Sequence, residues 1–346
     1  MIIVLREDTA KRPDRWSADL PRLLDPEKAR PLLQDACAAT GWSVHAVLEA
    51  EVVKELSGRR RTLRYRLLGE RSDGPREYRW FAKHYRGTKG ERVWPVMRFV
   101  HDQASADVMT AEPIGYLPKL RLLVTGELEG ATLAQSFRGT PEEDIEAGLK
   151  RAGRAIASMH RFAGDPGAVK RHGPREEIVV LGLALARAGR SMLEPTFLHR
   201  FQTQCDGVQG ELRCGAGPTF QRALLHRDLH PAQIVLREDA IGLIDLDDAA
   251  RGEPELDLGN LEAHLLLEDL QWGGEIGPAS FRAEALRRGY RACGEFDPER
   301  LQTYTRSALL RLATLERLAD PVHCVLDWPA LSSALLRLCE EMPVED

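Results

Sequence analysis

The stretch LLHRDLHPAQIVLREDAIGLIDLDDAARGEPELDLGNL, residues 224–261, sets acidic side chains beside three short apolar runs. These runs occupy residues 224–225, 234–236 and 241–244. Apolar runs of this length, bounded by turn residues, indicate short strands. Asp228 comes shortly after the first run and Asp245 directly after the third. The acids are therefore expected where strands end and loops begin, a common place for reactive groups on a rigid scaffold.

The second and third runs are predicted to form a hairpin, which would bring Asp228 and Asp245 to the same end of one small sheet. Two carboxylates in this arrangement can divide two tasks, because one can accept a proton from a hydroxyl while the other holds a hard divalent cation. Gln233 adds an amide oxygen to the same loop. Since Mg²⁺ prefers oxygen ligands and bound phosphate, the pattern favours phosphoryl transfer from ATP, with a distant lysine to bind the phosphates.

The composition limits the class of protein. The chain has 346 residues, of which 43% are hydrophobic and 29% charged, and its formal net charge is -5. These values indicate a globular protein of one large or two medium domains and argue against a nucleic-acid partner. Six widely spaced cysteines without a C-x-x-C pair disfavour a zinc ribbon and favour free thiols in a reducing cytosol.

Targeting signals are not evident. The apolar start at residues 1–5 is too short for a signal peptide, and no run of about 18 apolar residues predicts a membrane span. We therefore expect a soluble, cytoplasmic protein with no membrane partner. The oligomeric state stays open.

Three β-rich runs after Val44, HAVLEAEVVKEL, RTLRYRLLGE and EYRWFAKHYR, predict an antiparallel meander, because turn residues separate them. Lys83 lies in the third run and shares a strand face with Phe81 and Tyr85. It either extends to water or meets a buried anion. Arg59 lies in the first turn, where backbone N–H groups and guanidinium groups would suit phosphate. An arginine run is also typical of a solvated turn.

Most of the remaining chain has helical spacing. One helix is expected after Asp25-Pro26, since aspartate is a typical N-cap and proline a typical first helical residue. Pro95 would interrupt any helix that had already begun. The helix around it is therefore expected to start near Trp94 or to have a distorted first turn.

A strand that ends near Gly126 and a short connector after it predict a boundary between two lobes. The N-lobe is expected at residues 1–126, with one helix and the antiparallel sheet. The C-lobe is expected at residues 127–346, mainly helical, and it contains the acid-bearing loops.

The segments HRDLHPAQ and IDLDDAARGEPELDLGNL resemble the catalytic and metal loops of the aminoglycoside phosphotransferase and choline kinase-like enzymes, which are small-molecule relatives of protein kinases. The family pattern is roughly H-G-D-x-x-x-x-N, a hairpin, then I-D-[WF]-x-x and G-[DE]-P-x-x-D-[LV]. The resemblance covers the chain from about Val44 onward. It implies an α+β, protein-kinase-like two-lobe fold and the cofactors ATP and Mg²⁺.

The resemblance assigns roles to the C-lobe residues that match the pattern. Asp228 would be the catalytic base, and Asp245 would bind the metal together with Gln233. Asp257 would brace the catalytic loop without contacting substrate.

It also assigns roles around the nucleotide. Lys83 would contact the phosphates, and Glu91 is the nearest candidate for its ion-pair partner. Glu127 and Leu128 fall where the family's hinge meets adenine.

Two positions depart from the family pattern. Gln233 stands where the family usually has asparagine, which moves the amide oxygen about one methylene further out; maltokinase-like members resemble this chain in having glutamine. Arg227 replaces the usual glycine and is closer to the protein-kinase form of the loop.

Other readings of these polar residues stay open. His226 and His230, four residues apart, would suit zinc on a helix, but Pro231 and the flanking strands indicate a loop without a suitably placed carboxylate. Asp247 and Asp248 either bind the acceptor or are solvated. His264 and Glu268 either line the acceptor site or form the polar face of a helix.

The sequence thus predicts an ATP- and Mg²⁺-dependent phosphotransferase acting on a hydroxyl of a small molecule, such as a sugar, an aminoglycoside or an amino alcohol. One alternative is a nucleotide-binding pseudokinase with a regulatory or scaffolding role, which Gln233 and the missing Gly-rich loop favour. A protein kinase is the other alternative, but no D-F-G or A-P-E segment is present. The acceptor and the choice between ATP and GTP are not determined.

Overall fold

The computed structural model describes residues 15–56, 58–72, 74–167, 169–190, 194–214, 223–238, 240–273, 280–319 and 324–342. Its strands are β1 Ser43–Leu56, β2 Arg60–Glu70, β3 Arg76–Tyr85, β4 Val108–Thr110, β5 Pro113–Leu117, β6 Leu122–Gly126, β7 Ala131–Thr132, β8 Lys170–Arg171, β9 Ala223–Leu225, β10 Ile234–Leu236, β11 Ile241–Leu243 and β12 Ala250–Gly252. Its helices are α1 Arg15–Leu24, α2 Pro26–Ala36, α3 Lys89–Asp102, α4 Leu133–Ser136, α5 Glu142–His160, α6 Pro174–Ala188, α7 Pro195–Cys214, α8 Pro254–Gly273, α9 Phe281–Arg291, α10 Pro298–Leu312 and α11 Trp328–Glu341. The apolar start at residues 1–5 lies outside the described residues.

The described chain divides into two compact units. The first contains the described residues of Met1–Trp94 and Glu112–Glu127, and the second those of Pro95–Ala111 and Leu128–Asp346. One crossing from unit to unit lies within α3, between Trp94 and Pro95.

Helix α3 corrects one expectation. It begins at Lys89 and continues through Pro95, so the start near Trp94 is wrong. Proline supplies no N–H to the carbonyl four residues earlier, which here belongs to Glu91.

The first unit is built on the predicted meander. Strands β1, β2 and β3 pair in sequence, and β6 and β5 extend the sheet in the order β1-β2-β3-β6-β5, with antiparallel pairing throughout. In this register Lys83 lies opposite Thr62 of β2 and Leu123 of β6.

Alternation along the central strands separates the two faces of this sheet. Leu63, Tyr65, Trp80 and Ala82 are buried in one cluster with residues of α2. Lys83, the residue after Ala82 on β3, is half-buried and lies on the opposite face of the sheet.

The N-terminal region contains two helices, where one was expected. The predicted N-cap is confirmed, because the Asp25 carboxylate accepts hydrogen bonds from the backbone N–H groups of Glu27 and Lys28 at 3.1 and 3.3 Å. Helix α1 precedes it and is anchored by Leu23, whose carbonyl oxygen accepts a 3.0 Å hydrogen bond from the Tyr65 hydroxyl.

The second unit contains two small sheets and most of the helices. One sheet has the order β4-β11-β10-β7 and the other the order β8-β12-β9. Strands β10 and β11 form the predicted hairpin, with Ile234 opposite Leu243. One core cluster of this unit joins α6, α7, α8, α10 and α11.

Two chemical properties follow from the described residues. No helix among them is both long and apolar enough to cross a bilayer. All six cysteines lie within the described ranges and are free thiols.

Helices α5 and α9 approach so closely that glycine is required on both. A Cβ atom added at Gly153 would lie 2.3 Å from the carbonyl oxygen of Leu286, and one at Gly289 would lie 2.1 Å from that of Lys150. Real Cβ atoms do not come this close to a backbone oxygen, so larger residues would force the helices apart.

We expect Gly153→Ala to lower the free energy of unfolding by about 1–3 kcal/mol, the usual cost of overpacking. The control is Gly182→Ala in α6, where an added Cβ has nothing within 4 Å and alanine favours the helix by about 1 kcal/mol. Urea denaturation of both variants should show opposite changes. A Gly153→Ala protein as stable as wild type would contradict the backbone contact.

Candidate active site

A buried carboxylate holds the loop that carries Asp228. Asp257 of α8 accepts a 2.6 Å hydrogen bond from the backbone N–H of His226 on Oδ2 and a 2.7 Å hydrogen bond from that of Arg227 on Oδ1. The Nε2 atom of His160 lies 3.2 Å from Oδ2. The brace predicted for Asp257 is therefore confirmed.

The charge on Asp257 is stabilised by these donors. Burial raises the pKa of a carboxyl group, but the hydrogen bond and charge of His160, with the charge and backbone N–H of His226, outweigh it and lower the pKa of Asp257. Asp257 is therefore an ionised carboxylate in the folded protein at neutral pH.

The backbone turns sharply just before Asp228. Arg227 adopts a φ of 76°, a left-handed conformation that costs about 1–2 kcal/mol for residues other than glycine. Asp228 follows it and is exposed. The loop thus presents an accessible carboxylate on a backbone that Asp257 holds in place.

The hairpin joins this loop to Asp245. The backbone N–H of Ile244 donates a 3.0 Å hydrogen bond to the carbonyl of Gln233, and the imidazole Nε2 of His226 donates a 2.7 Å hydrogen bond to the carbonyl of Ile244. Asp245, the next residue, has a φ of 63°. The segments carrying Asp228, Gln233 and Asp245 are thus connected by direct hydrogen bonds.

Asp245 and Gln233 are compatible with a magnesium ion. Both offer hard oxygen donors, and their backbones are adjacent across the end of the hairpin. Mg²⁺ usually takes one or two protein carboxylates and completes its coordination with water and substrate phosphates. A set of one carboxylate and one amide oxygen fits that pattern.

The zinc alternative does not fit the geometry. The Nε2 atom of His226 already donates a hydrogen bond to the carbonyl of Ile244. The Nε2 atom of His230 lies 3.2 Å from the amide nitrogen of Gln233. Among the described residues no group of three or more His, Cys, Asp or Glu side chains is arranged to hold a metal ion.

Asp247 and Asp248 lie in a short 3-10 turn, Leu246–Asp248, directly after Asp245. Asp247 is buried and Asp248 is exposed. Of these two carboxylates, Asp248 is therefore the one that a dissolved molecule can reach.

His264 and Glu268 lie one turn apart on α8 and have different neighbours. The ring of His264 is 5.2 Å from that of His230, between centroids. Burial, with the charges of His230, Arg311 and Arg317, places the pKa of His264 well below its ordinary value. Glu268 accepts a 3.2 Å hydrogen bond from the Trp272 indole, and burial raises its pKa. Of the two, His264 is the one beside the loop that carries Asp228 and His230.

In the first unit, the residues expected around the nucleotide lie on or beside the sheet. Lys83 is on the face described above. Glu91 is exposed in the first turn of α3. The pKa of Tyr116 is raised mainly by the burial of Tyr116 itself and, to a smaller extent, by the negative charge of Glu91. The backbone N–H of Arg59 closes the β1–β2 turn on the carbonyl of Leu56 at 2.9 Å.

The two connector residues belong to different units. Glu127 continues the sheet of the first unit, since its N–H donates to the carbonyl of Arg79 at 2.9 Å and its carboxylate pairs with the Arg79 guanidinium at 2.6 Å. Leu128 packs on β11 of the second unit, where a Cβ added at Gly242 would lie 2.1 Å from its Cδ2.

The model of the phosphotransferase enzyme family matches residues 52–304, more than half of the chain. The chain belongs to the phosphotransferase enzyme family. No curated protein matches the sequence of this phosphotransferase.

Solved structures share its fold. A choline/ethanolamine kinase family protein from Mesorhizobium loti is 19% identical, with a TM-score of 0.55 over 91% of this chain and 93% of the other. A spectinomycin phosphotransferase solved with ADP and spectinomycin is 12% identical, with a TM-score of 0.56 over 92% and 99%. An amicoumacin kinase solved with AMP-PNP and Ca²⁺ is 16% identical, with a TM-score of 0.57 over 85% and 89%. The predicted α+β, protein-kinase-like fold is confirmed.

One supporting residue of this phosphotransferase has no signal in the sequence. His160, the last residue of α5, contacts Asp257 through Nε2 and the Tyr290 hydroxyl through Nδ1 at 2.9 Å. It lies 97 residues before Asp257 and in no recognisable motif, so only its contacts in the folded protein reveal it.

We expect Asp257→Asn to lower the free energy of unfolding by about 2–3 kcal/mol at neutral pH, because one amide oxygen cannot replace two carboxylate oxygens that each accept a backbone N–H. The lowered pKa of Asp257 means that its contribution is present above the ordinary pKa and lost as pH falls through the folded value. The variant should therefore lose less stability than wild type on acidification. Denaturation at several pH values checks both expectations.

Asp297→Asn is the matched control. Asp297 also accepts two backbone N–H groups, but both go to the single atom Oδ1 at the N-cap of α10, a position where asparagine caps as well as aspartate. Its stability should stay within about 0.5 kcal/mol of wild type. Equal losses in the two variants would show that Asp257 has no special role.

Proposed function

We propose that this chain is an ATP- and magnesium-dependent phosphotransferase that moves the γ-phosphoryl group to a hydroxyl of a small molecule. The observation that carries the proposal is the exposed carboxylate of Asp228, on a loop held by Asp257 and hydrogen-bonded to the strand end before Asp245. Family membership supports the reaction class. The spectinomycin phosphotransferase solved with ADP and the amicoumacin kinase solved with AMP-PNP and Ca²⁺ support a nucleotide and a divalent cation.

In the proposed reaction Asp228 accepts a hydrogen bond from the acceptor hydroxyl and aims its oxygen at the γ-phosphorus. As the new O–P bond forms, the bond from the γ-phosphorus to the β–γ bridging oxygen breaks, ADP leaves, and the hydroxyl proton passes to Asp228. Positioning and charge stabilisation supply most of the catalysis in this reaction class. This explains why the loop backbone is so firmly held.

Asp245 and Gln233 are the residues that would hold magnesium. When bound, the ion would neutralise negative charge that develops on the transferred phosphoryl group. The backbone hydrogen bond between Gln233 and Ile244 keeps the two segments that carry these side chains next to each other.

The remaining nucleotide contacts are proposed for residues 1–126, and catalysis for residues 127–346, with the connector at their boundary. Lys83 would neutralise the phosphates, with Glu91 as its ion-pair partner and Arg59 as a second cation in the β1–β2 turn. Glu127 and Leu128 would meet the base through their backbone.

The acceptor is proposed to be a hydroxylated metabolite or antibiotic of the sugar, aminoglycoside or amino alcohol class. Asp247, Asp248, His264 and Glu268 are the candidate acceptor contacts. Among them Asp248 and His264 are favoured, since Asp248 is exposed and His264 adjoins the catalytic loop. The six free thiols are in keeping with a reducing cytosol as its compartment.

A nucleotide-binding pseudokinase is the second candidate, and Gln233 is the observation that favours it. An amide oxygen moved by one methylene would weaken metal binding and leave a protein that binds nucleotide without transfer. Magnesium-dependent ATP consumption, screened against sugars, aminoglycosides and amino alcohols, separates the two.

We expect Asp228→Asn to lower kcat by about 10²–10⁴-fold, the usual contribution of a general base, while ADP binding measured by calorimetry stays unchanged. Glu238→Gln, which neutralises an exposed acid in the hairpin turn, should keep full activity. Turnover by Asp228→Asn at the wild-type rate would show that another group takes the proton.

We expect Gln233→Leu to raise the magnesium concentration for half-maximal activity by about tenfold or more, because the substitution keeps the bulk and removes an oxygen ligand. Gln233→Asn retains an amide oxygen and should change that concentration much less. The measurement is a magnesium titration of ATP consumption at saturating acceptor. Identical titrations for wild type and Gln233→Leu would exclude Gln233 as a ligand.

A further inference from the structure

Helix α8 contacts the catalytic loop on both sides of Asp228. Asp257 accepts the N–H groups of His226 and Arg227, which precede it. Asn260, one turn further along the same face of α8, is only 2% exposed, and its Nδ2 donates a 2.6 Å hydrogen bond to the carbonyl of Leu229, which follows it. The backbone is thus held immediately before and immediately after the reactive side chain.

The orientation of the Asn260 amide is determined by its partners. The Arg311 guanidinium of α10 donates to Oδ1, and the Leu229 carbonyl can only accept. A guanidinium has no acceptor and a carbonyl has no donor. Only one orientation of the amide satisfies both, and in that orientation Nδ2 faces the loop.

Arg311 is itself balanced by a buried acid. Glu177 contacts His172 Nε2 at 2.8 Å and accepts a 2.5 Å hydrogen bond from the Ser307 hydroxyl. Burial raises the pKa of Glu177, but these two contacts and the charge of Arg311 hold it at about 2. Burial lowers the pKa of Arg311, the charges of Arg227 and Arg187 lower it further, and the carboxylates of Glu177 and Asp228 oppose the change. An arginine side chain nevertheless stays protonated in proteins, so the cation persists beside Asn260.

We propose that Asn260 is a positioning residue for Asp228, and that Arg311 fixes the Asn260 amide in the orientation this requires. The inference rests on the proposed role of Asp228 as base. Asp257 restrains the two N–H groups before Asp228 but does not contact the Leu229 carbonyl after it, which Asn260 holds. Asn260 removes that freedom, so the carboxylate keeps one direction relative to the acceptor hydroxyl.

Asn260→Asp tests this directly, because it has the same size and keeps an oxygen for Arg311 but cannot donate to Leu229. We expect kcat to fall by at least about tenfold, since small misplacements of a reacting group have effects of that order or more. The KM for ATP should stay within about twofold. Hydrogen exchange of the backbone amides of residues 229, 230, 232 and 233, measured without substrates, should become faster.

Gln271→Glu is the matched control on the same helix. Gln271 is also buried, and its Nε2 donates a 2.6 Å hydrogen bond to the carbonyl of Leu318, away from the loop. The Gln271→Glu variant loses an amide-to-carbonyl hydrogen bond of the same length as the one lost in Asn260→Asp. Its kcat and the amide exchange rates of residues 229, 230, 232 and 233 should stay within about twofold of wild type.

Arg311→Met and Arg311→Lys provide a second test if Asn260→Asp does not fold. Methionine frees the Asn260 amide to rotate and should reproduce the fall in kcat, whereas lysine can still donate to Oδ1 and should restore most of the activity.

The outcomes separate the two levels of inference. Unchanged kcat and unchanged loop exchange in Asn260→Asp would overturn the positioning role. Faster exchange in Asn260→Asp, with a wild-type enzyme that transfers phosphate to no acceptor, would retain the restraint of the loop and reject the proposed function. Equal effects of Asn260→Asp and Gln271→Glu would reduce Asn260 to a general stabilising residue and overturn the proposal.

Discussion

The buried carboxylate of Asp257 is the interaction on which the loop around Asp228 depends. A buried ionised group without partners is very costly, and Asp257 is stabilised by two backbone N–H groups and His160. Its partners come from α5 and from the loop, while the carboxylate itself comes from α8. His226 extends the connection to the strand end before Asp245. Order in the loop is therefore coupled to the packing of two helices.

Helix α8 serves as a platform because it is buried on almost every side. Its polar residues are satisfied by neighbouring elements. Glu255 accepts the backbone N–H of Asp297, and Glu262 pairs with Arg287 of α9 through two 2.7 Å hydrogen bonds. Such buried pairs are weak evidence for added stability, but breaking one is costly. These contacts tie α8 to α9 and to the start of α10, on the helix that also carries Asp257 and Asn260.

The sequence predicts local features well and long-range ones poorly. The hairpin, the meander and the Asp25 N-cap follow from alternation and turn chemistry within a few residues. The course of α3 does not, because packing overrides the local effect of Pro95. His160, Asn260 and Arg311 lie far along the chain from Asp228, and ordinary helical residues give no signal of what they contact. The role of Asp257 can be predicted from the sequence only through the resemblance of its motif to a family.

Backbone strain in the second unit is confined to the places where the chemistry is proposed. Among the described residues, those other than glycine with positive φ are Arg121, Arg227 and Asp245. Arg227 precedes the proposed base, and Asp245 is the proposed metal ligand. Each such conformation costs on the order of 1–3 kcal/mol and persists only when its surroundings over-determine it. The hydrogen bonds of Asp257 do so for Arg227, and those of Gln233 and His226 to Ile244 do so for Asp245. Arg227 therefore holds a left-handed conformation that its own side chain disfavours, and the hydrogen bond from its N–H to Asp257 helps to keep it there.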